Sequence, residues 1–195
     1  MSVLPHLLTQ DVLWVQQTRQ FFRSDFLVLG HDGGVVGQLV SSGGALRRAL
    51  LGNREFTLVD AHNRVLAHIT DPFSWGRDTF EVVSANGAPL ARLRKEFALF
   101  SRHISIALSD GTPLAVRGSL WDREFEISSP SGHSIAHATR LRRGCLQMLT
   151  GRDTYQLRFH PQVPPQHRLA ILGAMLAVDL IRMKEASAAA SSSST

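Results

Sequence analysis

Large apolar residues recur along this chain in short runs, each closed by a turn residue and answered by a second apolar run. Five stretches carry the pattern: "FLVLGHDGGVVG" from Phe26, "FTLVDAHNRVLA" from Phe56, "FEVVSANGAPLA" from Phe80, "ISIALSDGTPLA" from Ile104 and "FEISSPSGHSIA" from Phe125. Seven positions after each opening residue stands Gly33, Asn63, Gly87, Gly111 or Gly132. Gly and Asn tolerate the positive φ of tight hairpin turns, so each unit predicts a β-hairpin. Three residues beyond the turn comes an aliphatic side chain (Val36, Leu66, Leu90, Leu114, Ile135), and the next is always small (Gly37, Ala67, Ala91, Ala115, Ala136). A fixed aliphatic and small pair in every returning strand implies one packing environment met repeatedly, around a core shared by all the units.

Five hairpins supply ten strands, and "VLWVQQ" at 12–17 and "DTYQLRF" at 153–159 alternate as two more. The last periodic segment is different. "LAILGAMLAVDLIRM", residues 169–183, is apolar on every side except at Asp179 and Arg182, and a helix of that kind must be buried. Spanning a bilayer takes about 20 apolar residues, and a carboxylate at that depth costs about 3 kcal/mol. A core helix is therefore the stronger reading. Eight-stranded barrels are filled by their own side chains and sixteen leave a channel, so about twelve strands leave room for one helix of roughly 10–12 Å diameter.

The expected fold is thus mainly β: about twelve antiparallel strands in successive hairpins, closed around a buried hydrophobic C-terminal helix. Residues 1–11 form an N-terminal arm, 12–185 the barrel with its central helix at 166–185, and 186–195 a disordered Ala/Ser tail. The prolines of "PQVPPQ" start the helix near Pro165, and Asp179 and Arg182, three apart, are placed to pair where it meets solvent.

At 195 residues and 44% hydrophobic, the chain suits one soluble domain. The N-terminal residues lack the pattern of a signal peptide, and a single cysteine, Cys145, allows no intrachain disulfide. Both point to the cytoplasm. The formal charge of +5 comes mostly from arginine, which favours anionic partners. It concentrates in "ARLRKE", with Arg92, Arg94 and Lys95, and in "TRLRRG", with Arg140, Arg142 and Arg143. Both clusters follow the small residue of a returning strand, which places them at one end of the barrel. They are the candidate site for phosphate headgroups, although an ordinary solvated rim has the same composition.

The sequence holds no G-x-S-x-G, P-loop, C-x-x-C or H-E-x-x-H motif, so no enzymatic activity and no cofactor are expected. "GHDGGVVG" is turn chemistry. Among nine histidines, His133 and His137 lie four apart and His62 and His68 straddle a turn, but no carboxylate or cysteine completes a ligand set. No metal site is expected. Trp14, Trp75 and Trp121 read as hairpin packing. Few aromatics interleave with the arginines, which argues against nucleic acid.

Hairpins ended by a buried helix resemble the tubby-like fold, and within it the phospholipid scramblase and LURP-one-related families, bacterial scramblase-related proteins above all. The likeness rests on "LWVQQTR", the repeated Gly-x-x-aliphatic-small units and "TGRDTYQLRFHPQVPPQHRLAILGAMLAVDLIRMK", over residues 12–185. It implies a non-enzymatic protein at the cytoplasmic face of a membrane, and phosphoinositide binding is known in the tubby branch. The calcium segment of the eukaryotic branch corresponds to "GRDTYQLRFHPQ", where Asp153 is the only carboxylate. Calcium takes six to eight oxygens, so Asp153 is a vestige at most. A barrel filled by its helix has no other spanning element, so lipid scrambling is not expected. The alternative is a soluble regulatory or protein-binding module with no lipid role.

Overall fold

The computed structural model describes residues 5–20, 23–42, 54–71, 79–98, 101–118, 124–140 and 154–192. A short helix, α1 (His6–Thr9), precedes β1 (Val12–Gln20), β2 (Arg23–Leu29), β3 (Val35–Ser42), β4 (Arg54–Asp60), β5 (Val65–Asp71) and β6 (Thr79–Ser84). Then come β7 (Pro89–Ala98), β8 (Ser101–Leu108), β9 (Pro113–Gly118), β10 (Glu124–Ser128), β11 (Ser134–Arg140) and β12 (Thr154–Phe159), and α2 (Pro165–Ser192) ends the chain. The twelve strands form one closed antiparallel barrel in sequence order, with β12 beside β1. An even count lets an up-and-down meander close without a free edge.

The five turn residues of the repeat all have positive φ: Asn63 at 60° and Gly33, Gly87, Gly111 and Gly132 between 79° and 84°. Their N–H groups donate back across the turns, as Gly33 does to Gly30 O at 3.0 Å and Gly87 to Ser84 O at 2.9 Å.

The aliphatic and small pair is a β-bulge. Val28 pairs with Gly37 but Leu29 with Val35, leaving Val36 as the extra residue. Leu66, Leu90 and Ile135 occupy the same place in their hairpins. A bulge lets two consecutive side chains turn toward the core, which explains why an aliphatic and a small residue follow one another there. The bulge carbonyl also takes a hydrogen bond from the next hairpin, Ala61 N–H to Val36 O at 3.1 Å and Ala85 N–H to Leu66 O at 3.1 Å. The repeat thus fixes the register between units as well as within them. The fourth hairpin departs from the pattern: Ile106 pairs with Leu114 rather than Ala115, so Leu114 is buried and Ala115 exposed. The single packing environment expected from the sequence is met in four units out of five.

The apolar helix fills the lumen. From Arg168 to Val178 every residue of α2 is buried, as are Leu180 and Ile181, and the helix packs on β5, β6, β7 and β8. Small residues let the wall come close: a Cβ on Gly173 would lie 2.6 Å from Val82 Cγ1. The helix continues to Ser192, past its expected end at 185 and through most of the stretch expected to be disordered. Alanine is the best helix former, and "EASAAASS" has no Gly or Pro to stop propagation.

The N-terminal arm is part of the core. Leu7 and Leu8 of α1 are buried over the end of the barrel where the hairpins turn. Gly37 admits Leu7, whose Cδ1 would lie 2.6 Å from a Cβ placed there. Arg168, in the first turns of α2, is 5% exposed and fastens this end. Its guanidinium donates to Gln10 O at 2.7 Å, to Asp11 Oδ1 at 2.6 Å, and to the carbonyls of His160, Pro161 and Val163. It also lies over the Phe159 ring, 5.4 Å from the centroid. A buried cation costs little only when its donors are satisfied in this way.

Candidate functional site

Along the middle of β7, buried Ala91 and Leu93 alternate with exposed Arg92 and Arg94. The two arginines therefore share the outer face. Arg92 Nη2 lies 2.8 Å from Glu81 Oε1 on β6, both side chains open to solvent. Exposed pairs of this kind stabilise by about 0–1 kcal/mol, so Arg92 remains available to a competing anion. Arg94 sits opposite Thr79 and Ser105 and has no ion-pair partner among the described residues. Lys95 follows opposite Ile104 in the register.

Arg140, the last residue of β11, lies at the end of the barrel away from the tight turns and on the other phase of its strand. Ala136 and Ala138 face inward, and Arg140 continues their alternation. Its guanidinium stands over the ring of Tyr155, 5.9 Å from the centroid. The expected common patch is corrected to this extent: Arg92 and Arg94 face outward, whereas Arg140 packs at the mouth of the barrel. The sequence places the clusters by distance from the turn, but the face depends on strand phase. Arg142, Arg143, Asp153, Cys145, Trp75 and Trp121 lie outside the described residues.

Beneath Arg140, the Tyr155 hydroxyl donates to Asp179 Oδ1 at 3.2 Å. Asp179 is the lone carboxylate of the apolar run, and this bond to the wall accounts for its presence there. The expected partner, Arg182, has its side chain outside the described set. A cavity of about 10 Å³ adjoins the pair, bounded by Val15, Phe125 and Met175. That volume is about enough for one water. The described lumen is packed rather than ligand-sized.

The turn end holds most of the described polar side chains that are fixed in place. Asp60 is buried; its Oδ1 accepts from the N–H groups of His62 and Arg64, both at 2.9 Å, and its Oδ2 meets Arg64 Nε at 2.7 Å. Burial pushes this carboxyl upward, but the bonds from Arg64 and His62 outweigh burial and hold it below the usual carboxylate value. Histidines cluster here too, in an open groove lined by His133, His160 and His167. His68 and His137 lie instead on the outer wall, near Glu55 at 3.7 Å and Glu124 at 2.8 Å. Among the described residues, no three His, Cys, Asp or Glu side chains converge as metal ligands would. Trp14 is half-buried on β1. Sequence reasoning missed Arg168 as the organiser of this end, although a lone arginine leading an all-apolar helix is a visible signal for a buried, fully bonded cation.

A closed twelve-stranded meander threaded lengthwise by a hydrophobic helix defines the tubby-like class of barrel. The chain belongs to the LURP-one-related family, whose model matches residues 12–176. It also resembles a crystallographically solved protein from Arabidopsis thaliana, with a TM-score of 0.58 and 12% identity over 92% of this chain and 99% of that one. At that identity the likeness concerns the fold. No curated protein matches the chain.

Proposed function

We propose that this barrel is a non-enzymatic binding module that attaches to a membrane surface through anionic phospholipid headgroups, on the cytoplasmic side. The observation that carries this reading is the pair Arg92 and Arg94, two residues apart on the outer face of β7. Lys95 adjoins them in the register, and Arg140 adds charge at the mouth of the barrel. Each cation near an anionic leaflet contributes about 1 kcal/mol, so several together give adhesion that is useful and sensitive to salt. The guanidinium plane suits phosphate oxygens in a way that a point charge does not.

The helix limits what such a module does. No helix among the described residues is long and apolar enough to cross a membrane, and α2 is the core of its own barrel. Inserting α2 would empty that core, so the proposed attachment is peripheral and does not scramble lipids. A soluble, protein-binding role is the second reading. Val35 and Val65, half-exposed at two hairpin mouths, supply the apolar surface it would use.

Flotation with phosphatidylserine vesicles tests the first reading. Recovery with the vesicles at low salt, falling at physiological salt and absent with neutral vesicles, is the expected result. Failure to float under all three conditions rejects the lipid reading in favour of the protein-binding one.

A further inference from the structure

Asparagine followed by glycine occurs once in the chain, at Asn86–Gly87. The pair forms the tip of the β6–β7 hairpin, and both residues are exposed. Gly87 has φ 84°, and nothing lies within 4 Å of the place a Cβ would take. The Asn86 side chain is held by its oxygen: Oδ1 accepts from the Ala88 N–H at 3.3 Å and from the Ser84 hydroxyl. Two sister hairpins carry aspartate at this place. Asp32 Oδ1 accepts from Gly34 N–H at 3.0 Å and Asp110 Oδ1 from Thr112 N–H at 2.8 Å, the same bond across two residues. Those backbone N–H groups hold both carboxyls below the usual carboxylate value. The turn therefore accepts a carboxylate as readily as an amide.

We infer that Asn86 deamidates spontaneously in the folded protein, with the Ser84 hydroxyl and the Ala88 N–H assisting at Oδ1, and that the third hairpin thereby takes on the aspartate turn of the first and fourth.

The only other reactant is water. The Gly87 nitrogen gives its proton to solvent base and attacks Asn86 Cγ; the new N–C bond closes a succinimide ring, and the Cγ–Nδ2 bond breaks to release ammonia. Water then opens the ring at either carbonyl, leaving aspartate or isoaspartate. Negative charge develops on Oδ1 in the first step, and the Ser84 O–H and Ala88 N–H already point at that atom. Donors fixed where charge develops lower a barrier of this kind. Before it attacks, the Gly87 N–H must leave Ser84 O, 2.9 Å away, and an exposed bond of this sort favours the closed turn by only about tenfold or less. Asn63 offers the contrast. Its following nitrogen, Arg64 N–H, is tied to the buried Asp60 carboxylate at 2.9 Å, and the Arg64 side chain is held by the same group at 2.7 Å. Conversion of Asn86 lowers the formal charge of +5 by one. Arg92 lies roughly 15–20 Å along the hairpin from it, beyond the screening length of about 8 Å, so the inference stands apart from the membrane reading.

Ageing the full chain in mildly alkaline buffer at physiological temperature, with peptides read by mass spectrometry, tests the site. Wild type is compared with S84A, with G87A and with wild type unfolded in urea; N86D marks the product and should melt as wild type does. The expected result is acid at position 86 of the folded chain, increasing with time and with hydroxide, while Asn63 stays an amide. S84A and G87A should each slow the conversion severalfold. Asn86 still an amide in the folded chain when the unfolded chain has converted, conversion of Asn63 as fast as that of Asn86, or a rate indifferent to S84A overturns the inference.

Discussion

Arg168 Nη2 lies 2.6 Å from Asp11 Oδ1, joining the start of the central helix to the residue that leads into the first strand. Through this contact and the bond to Gln10 O, the two ends of the fold close on one another, 157 residues apart in sequence. Replacing Arg168 by methionine keeps the aliphatic volume but takes this donor from the buried carbonyls of Gln10 and Val163, each unmade bond costing about 1–3 kcal/mol. The R168M variant is expected to lose about 2–4 kcal/mol, since two buried carbonyls lose their donor at once. D11N should lose less, because Asp11 is half-exposed and the carbonyl acceptors remain. Urea denaturation of the two variants checks the order.

The central helix contributes the middle of the hydrophobic core. Leu169, Ile171, Leu172, Leu176, Leu180 and Ile181 are all buried, and at about 1.5–3 kcal/mol each they supply on the order of 10 kcal/mol. That equals the entire net stability of an ordinary domain, about 5–15 kcal/mol. A chain ending at Pro165 should therefore show no cooperative thermal transition, and a folded, soluble truncated barrel would refute the core role. A gentler variant, G173V, drives a side chain against Val82 and is expected to cost about 1–3 kcal/mol by overpacking.

Asp60 makes stability depend on acidity. Its carboxyl is held below the usual value in the folded protein, so the unfolded chain binds the proton first. The contribution is complete above the unfolded value, about 3.9, and is lost as pH falls through the lower folded value. D60N should be less stable than wild type at neutral pH by about 1–3 kcal/mol. The gap should narrow as pH falls below about 4, as read by denaturation midpoints across acidic buffers.

Much of this architecture was legible because the repeat is a record of backbone constraint. Gly33, Asn63, Gly87, Gly111 and Gly132 are needed where φ is positive, so the turns, the hairpins and the strand count followed from them. The apolar run at 169–183 announced a buried helix because no face of it was free for water. The bulge was visible only as an unexplained aliphatic and small pair, since its meaning depends on the register with the facing strand. The out-of-phase Ala115 and the inward phase of Arg140 escaped for the same reason. A one-residue shift in pairing exchanges the two faces of a strand, and composition does not record it. The histidine groove was hidden because His133, His160 and His167 come together only through the closure of the barrel and the entry of the helix.

The arginine surface is the central functional claim, and the phase of Arg140 guides the choice of variant. A glutamate at Arg140 would stand beside Tyr155 and near Asp179, confounding binding with stability, whereas Arg92 and Arg94 lie on the open face. R92E/R94E should melt within about 0.5 kcal/mol of wild type, as surface changes usually do. The most direct measurement is flotation of wild type and R92E/R94E with phosphatidylserine vesicles at low salt. The account predicts that the wild type floats and the variant stays with the soluble fraction while both melt alike. Equal flotation of the two folded proteins would contradict it.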